Sequence, residues 1–203
     1  MDKVDEASLE IRFADLYGNM LDKSNNKVLR DYLADSYTCR MIAHKNIRCL
    51  LGTVKNTEES KDSDSLIYSS CFLLAFEGSY VRTIDSIIYL LVLDGHDLFD
   101  PLRERYVHFP DEINRIDISV KFKFLKEHRF EILIRQEDSE LRNKIAHHDF
   151  RISDRQKITI KGTEYELKKR LESLLGFVRD ISKPYVDALR KESELRGIFP
   201  SES

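Results

Sequence analysis

Apolar residues recur at spacings of three and four along most of the first half of the chain, which is the period of a helix packed on one side. Such patterns predict a first helix within residues 6–22 and a second from Val28 to about Val54. From Leu66 to Leu93 the chain is apolar on most faces, as expected for the central helix of a bundle. The polar stretch at 56–65 predicts a mobile connection, and residues 95–117 predict short helices and loops.

The second half of the chain is also predicted to be mainly helical. Residues 118–126 combine the alternation of a strand with the spacing of a helix, and we favour the helix. A helix is predicted at about 136–149, and β-branched alternation predicts a small β-hairpin at about 157–166. A final helix is expected from about Glu164 to Ser182. Pro184 is expected to end or kink it, with a further helix continuing to about Leu195.

Composition supports the same fold class. Seven glycines and four prolines among 203 residues, 34% of them charged, suit long helices. This length can bury one sizeable core, so we expect a single domain covering residues 1–203. The predicted fold is all-α, a bundle of about five or more helices with a small β-hairpin after the helix at 136–149.

The sequence shows no sign of a membrane or secretory segment. Its start is acidic and lacks an apolar signal region, and the longest apolar run, Ile87 to Leu93, is far too short to cross a bilayer. We therefore expect a cytoplasmic protein. Cys39, Cys49 and Cys71 are odd in number and show no Cys-x-x-Cys spacing, so we expect three buried thiols rather than disulfides or a zinc site.

Charge is distributed unevenly along the chain. The formal net charge is −3, yet residues 1–120 carry 14 Lys and Arg against 21 Asp and Glu, whereas residues 121–203 carry 19 against 15. The excess of four positive charges in the second half is modest. It is enough to help hold a phosphate backbone locally, and it is far from the strongly basic surface of a dedicated nucleic-acid binder.

The chemically active side chains are concentrated in residues 140–149. Asn143 and His147 are four residues apart, so they lie on one face of the predicted helix, with Arg142 on its flank. The opposite side is a narrow apolar stripe formed by Ile134, Leu141 and Ile145. The stripe is expected to face a core, so the polar side chains are expected to face a groove or another chain.

This arrangement resembles a known family. Arg142 is followed directly by Asn143, and His147 comes five positions after the arginine, which is similar to the Arg-x4-6-His signature of the HEPN superfamily (higher eukaryotes and prokaryotes nucleotide-binding domain). The resemblance implies an all-α homodimer that acts as a metal-independent RNA endonuclease, with a composite catalytic site at the dimer interface. Arg142, Asn143 and His147 are the residues it places in that site.

The residues themselves fit this chemistry. In RNA, a 2′-hydroxyl can attack the adjacent phosphorus if one group accepts its proton, a second protonates the leaving oxygen and a cation neutralises the phosphate. Arg142 can hold the phosphate, His147 can move a proton and Asn143 can orient either of them. One histidine cannot be base and acid in the same step, so two chains would have to contribute a histidine each.

Two acidic residues of the central helix are possible supporting groups. Glu77 and Asp85 lie on the polar arc of the helix at 66–93, together with Arg82. The arc either reaches solvent, with an ion pair between Arg82 and Asp85, or turns its carboxylates toward the catalytic motif. Both alternatives remain open at the level of the sequence.

His148 and Asp149 are the other possible supporting residues. His148 projects about 100° from His147 around a helix, so it is either a structural residue at the helix end or a second catalytic group. Some HEPN proteins carry, two positions after the motif histidine, a tyrosine that a partner enzyme modifies with nucleotides. Asp149 occupies that position here, which puts this kind of regulation in doubt.

The expected partners follow from the resemblance. They are RNA, a second copy of the chain, and an antitoxin or a nucleotidyltransferase-type protein if the chain is a toxin or defence effector. No cofactor and no metal ion are expected, because adjacent His147 and His148 point to different faces of a helix. The alternative is a non-catalytic HEPN-like module that binds a nucleotide, RNA or a protein.

Overall fold

The computed structural model describes residues 11–16, 18–19, 27–54, 61–154 and 156–195. Over these residues the chain is mostly helical with two small antiparallel sheets, so the coarse prediction of a helical protein is confirmed. The elements are α1 (residues 11–16 and 18–19), α2 (Lys27–Val54), α3 (Lys61–Ala75), a π-helical segment (Phe76–Val81), α4 (Arg82–Leu93), β1 (Leu98–Asp100), β2 (Arg105–Val107), α5 (Pro110–Ile113), α6 (Ile118–Glu127), a 3-10 helix (Glu131–Leu133), α7 (Gln136–Ala146), β3 (Arg151–Asp154), β4 (Lys157–Ile160), β5 (Thr163–Glu166) and α8 (Leu167–Leu195).

The first predicted helices are present with shifted bounds. α1 lies inside the predicted span of 6–22, whose other residues are outside the described part of the chain. The central helix begins earlier than expected, because α3 starts at Lys61 and continues through the π-helical segment into α4. Residues 61–65, predicted as part of a mobile connection, therefore form the first turn of α3, where Asp62 and Asp64 suit the helix dipole. Residues 55–60 are outside the described part.

The prediction of three buried thiols is wrong for two of them. Cys71 on α3 is buried, whereas Cys39 and Cys49 on α2 are exposed. The two exposed cysteines lie outside the buried side of α2, which carries small and polar residues as well as apolar ones. That side includes Leu29, Ser36, Arg40, Ala43 and Ile47.

The segment predicted as short helices and loops contains a β-hairpin. β1 and β2 pair antiparallel, with Phe99 opposite Tyr106. The two rings meet edge to face, with centroids 5.3 Å apart, while Leu98 and Val107 are buried on the other side. Each strand has only three residues, too few for alternation to be recognised against the helical pattern.

The helix favoured at 118–126 is present as α6, capped by the Asp117 carboxylate, which accepts a hydrogen bond from the Ser119 N–H.

The hairpin expected at 157–166 is formed by β4 and β5 and joined by a third strand, β3. Its turn residues Lys161 and Gly162 both have positive φ, of 48° and 85°, as a type I′ turn requires. Because β5 ends at Glu166, α8 starts later than predicted, and it continues through Pro184 to Leu195. Among the described residues, no helix is long and apolar enough to cross a membrane.

Contacts between Cα atoms divide the chain into two compact units. The first is built from Met1–Ala34, Ile84–Ile134 and Arg179–Ser203. In its core the Phe13 ring stacks on Phe130, with centroids 6.0 Å apart, and meets Tyr185 edge to face at 5.4 Å. All three side chains are buried, so aromatic packing links helix α1 to α8 within this unit.

The second unit is built from Asp35–Thr83 and Arg135–Val178. Tyr80 of the π-helical segment is fully buried in it, between the rings of Phe76 at 5.0 Å and Phe177 at 6.1 Å. This burial raises the pKa of the Tyr80 phenol well above its usual range. The unit also contains α7 and the three-stranded sheet, so it holds all of residues 140–149.

Candidate active site at the end of helix α7

Arg135 fixes the start of α7 in the second unit. Its backbone N–H donates a hydrogen bond to the Tyr80 hydroxyl at 3.0 Å, and its Nε donates to the Asp138 carboxylate at 2.6 Å. Its Nη2 donates to Ser173 on α8 at 3.1 Å, and the guanidinium lies 4.8 Å from the Phe177 ring centroid. Asp138 is only 1% exposed and sits in the first turn, where the helix dipole favours a carboxylate. The motif residues are therefore carried on a firmly anchored helix.

The two sides of α7 differ as the sequence pattern predicts. Leu141 and Ile145 are buried, while Asn143 and His147 are exposed. Ile134 precedes the helix and is half-buried, so it does not belong to the apolar stripe. The polar face of the motif is thus open to solvent in a single chain.

The motif helix ends earlier than the predicted position 149. α7 stops at Ala146, with His147 as its C-cap residue. His148 has a positive φ of 54°, its N–H donates to the Ile145 carbonyl, and the Asp149 N–H donates to the Lys144 carbonyl. This is the Schellman pattern, in which one left-handed residue closes the helix. His148 therefore has the structural role that was one of its two expected roles.

Arg142 is held by two neighbours in the same unit. Its Nη1 donates a hydrogen bond to the Asn143 side-chain oxygen at 2.7 Å, and its Nη2 forms an ion pair with Glu77. Arginine has only donors, so the Asn143 atom facing it must be the oxygen, which leaves the exposed Asn143 amide NH2 for another partner. About a third of the Arg142 side chain remains accessible. The structure thus brings Glu77, Arg142 and Asn143 together.

Glu77 reaches Arg142 from the π-helical segment. Within this segment Gly78 packs against α2 so closely that an added Cβ would lie 2.6 Å from the Ala43 Cβ. Such a segment holds one residue more per turn than an α-helix and is often found at functional sites. The segment carries Glu77, which forms the ion pair with Arg142. No feature of the sequence pattern predicted the π-helical turn.

Asp149 is paired with a residue of its own segment. The Lys144 Nζ donates to the Asp149 carboxylate at 2.9 Å. This hydrogen bond is the main cause that lowers the pKa of Asp149, with smaller contributions from the charges of Lys161 and His147. Asp149 is therefore anionic at neutral pH and is engaged with Lys144, a contact that the sequence analysis did not identify.

Asp85 has a different environment from Glu77. It belongs to the first unit, is 1% exposed, and lies 2.6 Å from the Nζ of Lys121, which is itself 2% exposed. A carboxylate enclosed in this way has no access to a solvent-borne substrate. From the sequence, Arg82 was one expected ion-pair partner of Asp85. Its pairing with Lys121 of α6 was not predicted, because the two residues are far apart along the chain.

The described residues contain no group of three or more His, Cys, Asp or Glu side chains arranged to hold a metal ion. Comparisons with models of protein families, with characterised proteins and with solved structures find no match for this chain. The functional argument therefore depends on the motif residues and their geometry.

Proposed function

We propose that this protein is a HEPN-type endoribonuclease that cuts RNA without a metal ion. The observation that carries the proposal is the placement of Arg142, whose guanidinium is held by Glu77 and Asn143 on the helix that ends at the exposed His147. A guanidinium held in one orientation suits a phosphate, because its planar fork matches two phosphate oxygens. Two of its donors are engaged within the chain, and about a third of the side chain remains accessible to a substrate.

The proposed reaction is an internal transfer at phosphorus. A 2′-hydroxyl loses its proton to a base, its oxygen forms a bond to the adjacent phosphorus, and the bond to the 5′-oxygen breaks as that oxygen takes a proton from an acid. The products carry a 2′,3′-cyclic phosphate and a 5′-hydroxyl. His147 supplies the base or the acid, and Arg142 stabilises the charge that develops on the phosphate.

A homodimer would supply the second proton-transfer group. The side of α7 that carries Asn143 and His147 is open to solvent in one chain, so a second chain related by a two-fold axis can approach it. Two copies of His147 would then flank one phosphate, one as base and one as acid. The same exposed face is what an antitoxin would have to cover if the protein acts as a toxin.

The test is cleavage of a mixed RNA pool by the purified protein in excess chelator. His147→Ala should lower the rate roughly 10²–10⁴-fold, the usual contribution of a general acid or base. Arg142→Ala should lower it as well, while circular dichroism and dimer mass stay unchanged, because His147 is exposed and Arg142 is only partly buried. His108→Ala is the matched control, since His108 is an exposed histidine outside the motif.

Equal cleavage by the unmodified protein and by both motif variants would refute the assignment. If the unmodified protein binds RNA and leaves the whole pool intact, the alternative replaces it: a non-catalytic HEPN-like module that binds a nucleotide, RNA or a protein partner. Fragments ending in 2′,3′-cyclic phosphates, seen with His108→Ala and absent with His147→Ala, would establish the proposed chemistry.

A further inference from the structure

A depression opens directly after the motif helix, in the second unit. It is lined by the residues His148, Asp149, Phe150, Arg151, Thr159, Lys161 and Gly162. Its volume is about 570 Å³, within the range of roughly 300–1,000 Å³ that small-molecule sites occupy. His148 is the immediate neighbour of His147, so the depression begins where the proposed catalytic residues end.

The fold builds this depression from the end of α7 and from strands β3 and β4. The left-handed turn at His148 redirects the chain from α7 into β3, where Arg151 pairs with Thr159 of β4. β3 is tied to α3 by the Ser65 hydroxyl, which donates to the Asp154 carbonyl at 3.0 Å. The neighbours of Thr159 along β4, residues 158 and 160, are buried, so Thr159 faces outward by the alternation of a strand.

The lining combines an aromatic ring with positive charge. The Phe150 ring is half-buried, and its centroid lies 6.5 Å from that of His148. Arg151 and Lys161 are exposed, and within the described part of the chain neither forms a close ion pair. The carboxylate in the lining, Asp149, is neutralised by Lys144. The depression therefore has an accessible aromatic surface and a net positive charge.

We propose that this depression binds a nucleotide of single-stranded RNA next to the cleaved linkage, with its base against Phe150 and its phosphate between Arg151 and Lys161. The inference rests on the proposed function, because it takes RNA as the substrate of the adjoining site. Aromatic side chains and basic groups together are the usual surface for single-stranded RNA. A base within a duplex is stacked and cannot reach Phe150, so the site selects unpaired RNA.

The test measures binding without cleavage, so that its outcome is independent of catalysis. Fluorescence anisotropy of a labelled single-stranded RNA carrying 2′-O-methyl groups gives the Kd for the full-length protein over a series of salt concentrations. Phe150→Leu should weaken binding roughly 5- to 150-fold, the range for loss of one base–aromatic stack. Phe150→Tyr keeps the ring and should restore the Kd.

The charge of the site is tested by Arg151→Glu combined with Lys161→Glu. Because the proposal places one phosphate between the two side chains, its loss should reduce the slope of log Kd against log salt by about 0.7, the value for one phosphate on a single strand. Lys169→Glu is the control, since Lys169 is an exposed lysine of the same unit that lies outside the depression and pairs with Glu166, and it should leave the slope unchanged. If Phe150→Leu does not fold, the comparison of the combined Arg151→Glu and Lys161→Glu variant with Lys169→Glu still tests whether the depression binds RNA.

The proposal is overturned if the unmodified protein does not bind the RNA, if both the ring and the charge variants bind as the unmodified protein does, or if a duplex of the same sequence binds equally well. Loss of binding in these variants, together with an unmodified protein that cleaves nothing, would support the binding site and refute the nuclease. If cleavage occurs, Phe150→Leu should raise KM for single-stranded RNA and leave kcat nearly unchanged.

Discussion

The buried ion pair between Asp85 and Lys121 gives the sharpest test of the structure. Asp85→Asn removes the negative charge while keeping the size of the side chain. Lys121 then remains as a buried ammonium that has lost the carboxylate 2.6 Å from it, and both side chains are at most 2% exposed. Breaking a buried pair by removing one partner destabilises a protein by about 3–5 kcal/mol.

The expected change in melting temperature follows from the size of the chain. At about 2–4 °C for each kcal/mol in a protein of this length, the substitution should lower Tm by roughly 6–20 °C. The same helix provides a matched control, because Lys123 is 79% exposed and lies 3.9 Å from Glu127. An exposed pair of this kind contributes about 0–1 kcal/mol, so Lys123→Ala should hardly change Tm.

Thermal unfolding followed by circular dichroism measures both variants. The double substitution Asp85→Leu with Lys121→Met removes both charges and should recover most of the lost stability, because apolar replacement of a whole buried pair is often neutral. A melting temperature of Asp85→Asn within about 2 °C of the unmodified protein would refute a buried, charged pair. At a temperature where it is folded, Asp85→Asn should cleave RNA normally, which separates this residue from the proposed active site.

Three further predictions concern local features. His148→Gly should raise the free energy of unfolding by about 0.5–1 kcal/mol in urea titrations, because glycine relieves the left-handed conformation and returns part of the gain to the unfolded chain. Alkylation of the native protein at mildly alkaline pH should modify Cys39 and Cys49, seen by mass spectrometry, and spare Cys71, whose pKa is raised by burial to about 11. Hydrogen bonds, the largest from the backbone N–H of residue 108, lower the pKa of Glu112 in the folded state. The ionised Glu112 therefore stabilises the folded protein at neutral pH, and this contribution is lost as the pH falls through the lowered pKa. Glu112→Gln should make the free energy of unfolding less dependent on pH in the acid range, as measured by urea titrations at several pH values.

The helical elements could be predicted because their evidence is local. α2 and α6 carry apolar residues at helical spacing, and the turn at Lys161 and Gly162 uses a glycine where a positive φ is required. The buried side of α7 could be predicted for the same reason, since Leu141 and Ile145 recur after four residues. Each of these features depends on neighbours within a few positions along the chain.

The contacts of the site could not be predicted because they join distant segments. The pairing of Arg142 with Glu77 depends on a π-helical turn that no spacing rule detects, and Lys121 meets Asp85 only after folding. The early end of α7 depends on a histidine taking a conformation that glycine usually takes. The sequence therefore indicated the candidate residues for the proposed chemistry, and the structure showed that Arg142 among them is paired with Glu77 and Asn143.

The π-helical segment also bears on how this site could arise and be lost. A π-helical turn holds one residue more than the α-helical turn that it replaces, so deletion of a single residue between Phe76 and Val81 would restore a regular helix. Residues before and after the deletion would then be out of phase by about 100° around the helix axis. The direction of Glu77 relative to the residues that follow the deletion would change by this angle, so its ion pair with Arg142 should be lost. Deletion of one residue should therefore remove the contact that orients Arg142 and leave a helical chain of nearly the same composition.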